Sequence, residues 1–157
     1  MKNALVIGYG NSLRSDDGVG VWVAERIADL HLPGVDVQTC HQLHLELIPD
    51  IVEYETVILV DAEVGGTPLT VRESLPALVL PSSSDHSVRP ETLQQLAKEL
   101  YGVLPDMRLY TVRGENFEFG TALTTSVIDR ANEAVEQITA FLQRSSLKSL
   151  NVDHIFA

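Results

Sequence analysis

What most constrains this chain is alternation: short, almost unbroken apolar runs separated by stretches with helical periodicity. Ala4–Tyr9, Thr56–Ala62 and Arg108–Val112 read as strands, with Val35–Cys40 a fourth and Leu69–Arg72 a fifth, shorter and nearer an edge. Runs such as Leu-Val-Ile and Val-Ile-Leu-Val lack the polar alternation of a half-solvated strand, so they suit strands covered on both faces. Between them, Val19, Val23, Ile27 and Leu30 make one helical stripe, and Leu93, Leu96 and Leu100 a second after Pro90. Leu45–Glu53 reads as a short helix that tolerates Pro49 only in its first turn. Val127, Ala131, Ala134, Ile138 and Leu142 predict a last helix of about four turns. Strands alternating with helices predict a single-domain, three-layer α/β fold, a mostly parallel sheet between helices. In such folds ligands bind at the carboxyl ends of the strands.

Composition narrows the partners. The chain has 157 residues, 45% of them hydrophobic, enough for a core without disulfides or a structural metal. Its 11 basic against 22 acidic side chains leave a formal net charge of −11, which excludes nucleic acid and anionic membrane as default partners. Cys40 is the sole cysteine, so no intrachain disulfide or Cys-x-x-Cys site exists. The opening Met1–Gly8 segment reads as a strand rather than a signal-peptide core, and no apolar run approaches the ~18 residues of a membrane span. The expected setting is the cytoplasm.

The segments after the strands carry the candidate chemistry. Gly8-Tyr9-Gly10-Asn11-Ser12-Leu13-Arg14-Ser15-Asp16-Asp17-Gly18-Val19-Gly20 follows the first strand. It fails the dinucleotide pattern, because Leu13 occupies the third glycine position, and it lacks a P-loop lysine. One of Asp16 and Asp17 could simply cap the next helix. Two adjacent acids in a glycine-rich loop exceed what a cap requires. Asp61 follows an apolar run at the same edge, and Glu63 two residues on is expected to face solvent. His86 lies in the polar loop Ser82–Ser87, unlike the other four histidines. His41 adjoins Cys40, but adjacent residues on an extended chain point to opposite faces, so Cys40 is expected to be structural. Asp17, Asp61 and His86 could meet on one rim as an N/O set suited to a divalent ion such as nickel, zinc, iron or manganese.

On these residues the chain resembles the hydrogenase maturation proteases. The match rests on the glycine-rich segment, Val60-Asp61-Ala62, Ser83-Ser84-Asp85-His86 and Arg113-Gly114-Glu115-Asn116-Phe117-Glu118-Phe119-Gly120, and spans residues 3–143. The tail, 144–157, lies outside it and is left free to fold back, pair or stay disordered. The resemblance implies a phosphorylase-like α/β fold with a mixed sheet. It implies an endopeptidase that trims a C-terminal extension from the large-subunit precursor of a nickel–iron hydrogenase. The family's three metal-contacting positions carry over to Asp17, Asp61 and His86. Nickel would be presented by the precursor rather than held tightly by the free protein, and a monomer is expected. Whether the metal or a carboxylate, Asp17 or Asp16, activates the attack stays open. Glu115-Asn116-Phe117 is a family feature without assigned chemistry.

Two other classes compete. A phosphoacceptor receiver domain also places an acidic pair after strand one and an aspartate after strand three, but it needs a lysine where Val112-Arg113-Gly114 has none. A non-catalytic adaptor would dock on a metalloprotein precursor without cutting it.

Overall fold

The computed structural model describes residues 1–76 and 88–156. Its elements run β1 (Lys2–Tyr9), α1 (Val19–Asp29), β2 (Val35–Cys40), α2 (Ile48–Ile51), β3 (Tyr54–Val64), β4 (Leu69–Arg72), α3 (Pro90–Tyr101), β5 (Asp106–Gly114) and α4 (Thr125–Phe156). Short 3-10 turns at Ser15–Gly18 and Leu45–Leu47 lead into α1 and α2. The strands form one sheet in the order β2-β1-β3-β5-β4. The first four are parallel, and β4 closes the edge antiparallel to β5. The architecture is the mostly parallel α/β sheet expected from the apolar runs, made mixed by β4 as the resemblance implies.

Side-chain alternation divides the core in two. Ala4, Val6, Ile58, Val60 and Val112 face α1 and α4, meeting Val23, Ile27, Ala131 and Ile138. Leu5, Ile7, Val57, Leu59 and Met107 face α2 and α3, meeting Ile51, Leu93 and Ala97. The central strands are covered on both sides, which is why their sequences are nearly continuous in Val, Leu and Ile.

One close approach sets the geometry of the carboxyl edge. A methyl group on Gly8 would strike the Gly20 carbonyl, and one on Gly20 would strike the carbonyls of Val60 and Tyr9. Only bare backbone at both positions lets the first turn of α1 lie directly on the ends of β1 and β3.

Three elements differ from expectation. The predicted helix over Leu45–Glu53 is a 3-10 turn followed by four α-helical residues, with Pro49 in the first turn. α4 continues well beyond Leu142 to Phe156, 32 residues in all. β3 runs on to Val64, two residues past the expected end at Ala62. Among the described residues, no helix is long and apolar enough to cross a membrane.

Candidate active site

The cleft exists because neighbouring strands end at different heights. The β1–β3 pairing stops at Gly8↔Val60, whereas β3 and β5 stay paired through Asp61↔Thr111 to Val64↔Gly114. Beyond Gly8, Tyr9 is the residue of β1 level with that flank of β3. Asp61 points into the opening, on the same side of β3 as Leu59. Its Oδ1 accepts the Ala62 N–H at 2.7 Å. Burial pushes its pKa up to about 6, and the neighbouring Asp17 and Glu63 charges add to this. The Ala62 N–H and the Tyr9 hydroxyl act in the opposite sense, favouring the charged carboxylate.

Asp17 reaches the same opening from the glycine-rich loop. Gly10, at φ +142°, sits where any side chain would strike the Asp17 carbonyl. The Asn11 side chain accepts from Leu13 N–H at 3.0 Å, and the Asn11 N–H donates to Asp17 Oδ2 at 2.8 Å. The loop therefore folds around Asp17 and holds one of its oxygens. Asp17, Asp61 and Tyr9 line one cleft of about 440 Å³ together with His41 and His44.

Asp16 is a correction. It is fully buried and does not line the cleft. Its Oδ2 accepts from Glu115 N–H, Asn116 N–H and the Thr124 hydroxyl, and its Oδ1 from Thr124 N–H, all at 2.8 Å. Burial alone would raise its pKa. The donors from Thr124, Glu115 and Asn116 outweigh that and lower it. A carboxylate with both oxygens engaged and no face toward the cleft does not fit the role of general base. Asp16 instead ties the 115–124 loop to the glycine-rich loop. The same loop accepts the Ser15 hydroxyl on Glu118 and the Ser15 N–H on Gly120, at 2.9 and 2.8 Å, which holds Ser15 at φ +52°. This assigns Glu115-Asn116 a structural role, since their amides are the donors to Asp16. It also deprives the receiver-domain reading of its acidic pair.

Comparison with known proteins bears on this arrangement. No family model matches the chain. The chain is 29% identical over 155 residues to the hydrogenase 2 maturation protease of Escherichia coli, covering 93% of this chain and 94% of that one. Its structure resembles the hydrogenase maturating endopeptidase HybD from Escherichia coli, with a TM-score of 0.75, 26% identity and coverage of 91% and 93%. The [NiFe] hydrogenase maturation protease HycI from Thermococcus kodakarensis gives 0.73, 25% identity and coverage of 90% and 93%. In sequence and in fold the chain is similar to hydrogenase maturation proteases along nearly its whole length.

Those relatives are named as proteases and an endopeptidase, which hydrolyse peptide bonds, and the cleft is the candidate site here. His86 lies outside the described residues. Among those residues, no three His, Cys, Asp or Glu side chains gather as a metal-ligand set. Asp17 and Asp61 bring two sets of oxygen donors to the cleft. Cys40 is half-buried, and burial pushes its thiol pKa up, as for a structural rather than nucleophilic cysteine. Glu63 does not simply face solvent: its Oε2 accepts the Thr111 hydroxyl at 3.0 Å.

Sequence reasoning passed over Tyr9, His41 and His44 as cleft residues. Tyr9 looks like the last apolar residue of β1, and its ring is indeed core. The available signal was its place, at the carboxyl end of a central strand just before a glycine. His41 and His44 follow β2 at the same edge. The Nδ1 of His44 is buried without a hydrogen-bond partner among the described residues.

Proposed function

We propose that this protein is the endopeptidase that removes a C-terminal extension from the large-subunit precursor of a nickel–iron hydrogenase, and that it reads nickel carried by that precursor. The supporting observation is the convergence of Asp17 and Asp61, from separate segments, in one open cleft of a chain similar to hydrogenase maturation proteases. Both carboxylates keep oxygens available to a partner, and neither is neutralised by a basic side chain among the ion pairs of the described residues. His86 is proposed as the third donor, on the strength of the family resemblance. Val88, two residues along the chain, lines the same cleft.

In this reading the precursor's nickel is part of the substrate. Two carboxylates and an imidazole bind copper or zinc at least as well as nickel by intrinsic affinity order, so selectivity comes from the site that presents the metal. Docking the loaded metal against Asp17 and Asp61 places the nearby scissile peptide, and positioning of this kind removes much of a reaction barrier. Cleavage then depends on metal loading. The free protein is proposed to act as a monomer in the cytoplasm.

The test is intact-mass analysis of the precursor after mixing with the protein, with and without prior nickel loading. Loss of the extension only from the loaded precursor supports the whole scheme. Cleavage irrespective of nickel retains the protease and removes the metal reading. A stable complex without cleavage supports the adaptor.

A further inference from the structure

We infer that Tyr9 is a positioning residue for the cleft, its hydroxyl orienting the Asp61 carboxylate toward the substrate. The inference rests on the reading of Asp61 as a site residue and names what holds it in place. The two residues are brought together by strand register. With Ile7 opposite Leu59 and Gly8 opposite Val60, Tyr9 comes level with Asp61 at the point where β1 leaves the sheet. Both point to the α2 and α3 side.

The Tyr9 ring cannot swing away, because it is 9% exposed and packed in the same core cluster as Leu43 and Leu47. Tyr9 and Asp61 line the same cleft side by side, which puts the phenolic hydroxyl beside the Asp61 carboxylate. A tyrosine hydroxyl at the edge of the core requires a partner, and the neighbouring carboxylate is that of Asp61. For Asp61 the benefit is orientation. The Ala62 N–H on Oδ1 is a contact with the next residue and constrains the side chain only locally. The Tyr9 hydroxyl is anchored in a different strand, so as a second donor it narrows the orientations left to the carboxylate. A carboxylate has about four lone-pair directions, so two internal donors still leave room for a substrate group. Phenylalanine would fill the core position equally well and supply no donor.

The test is Tyr9→Phe in the full chain, assayed on nickel-loaded large-subunit precursor beside Asp61→Asn. The expected result is a fall in kcat of between about 10- and 100-fold with KM within about twofold. The melting temperature should stay within about 3 °C, because the ring and its packing are kept. Wild-type kcat in Tyr9→Phe while Asp61→Asn is inactive overturns the inference and leaves the site reading intact. A rise in KM at unchanged kcat also overturns it, since Tyr9 would then shape binding only. Full activity in both variants removes Asp61 from the site, and the inference with it.

Discussion

Asp16 and Asp17 are neighbours in sequence and opposites in use. Asp16 faces inward, fully buried, and takes four hydrogen bonds from a loop about 100 residues away. Asp17 faces outward, takes one hydrogen bond from its own loop, and leaves the rest of its carboxylate to the cleft. The difference is not in residue type or in local backbone chemistry. It lies in which donors surround each carboxylate. A satisfied buried acid stabilises the fold, whereas a half-satisfied one facing the cleft is available for chemistry.

Substitutions at the two positions should therefore separate. Asp17→Asn should lower cleavage by about 100- to 1,000-fold, equivalent to about 3–4 kcal/mol of barrier, with the melting temperature unchanged. Asp16→Ala should do the reverse in kind. Stranding the amide donors of Glu115, Asn116 and Thr124 should cost about 3 kcal/mol of stability, read as a fall of about 6–12 °C in calorimetry. Equal loss of activity and no loss of stability at both positions would erase the contrast.

The pH dependence sharpens it. Asp16 titrates below its ordinary value in the folded state, so its stabilisation is present above the unfolded pKa and disappears as the pH falls through the folded one. Asp61 behaves oppositely. Its folded pKa of about 6 lies above the ordinary 3.8, so its contribution is greatest below about pH 4 and is lost as the pH rises through 6. Asp61→Asn does not titrate and keeps an acceptor for the Ala62 N–H. It should be more stable than the wild type by about 1–2 kcal/mol at pH 7, a gain that shrinks to nothing near pH 4. Urea midpoints across that range measure it. The smallest effect is expected at Phe119, on the loop that Asp16 holds. Its side chain is 88% exposed, and Phe119→Ser should change stability by no more than about 0.5 kcal/mol.

Much of the molecule was legible in the sequence because its signals are local. Val57–Val60 and Leu5–Ile7 announce buried parallel strands, and the edge where Asp17 and Asp61 meet follows from where those strands end. What was not legible depends on distant partners. Nothing local distinguishes Asp16 from Asp17; the Thr124 and Glu115 amides that decide the matter lie about 100 positions away. Tyr9 was read as core, which is true of its ring and silent about its hydroxyl. The extent of β3 past Ala62 was missed because Glu63 and Val64 extend the pairing to β5 without an apolar run to signal it.

The seating of Gly20 on the Val60 carbonyl has a consequence for how the cleft is occupied. With no side chain between α1 and the strand ends, there is no slack in which the helix can tilt. The wall that bears Asp17 is thus assembled before anything binds. A partner meets a finished template and spends none of its affinity on ordering that wall. Alanine at either Gly8 or Gly20 would act as a wedge, changing the spacing of the two carboxylates without touching either.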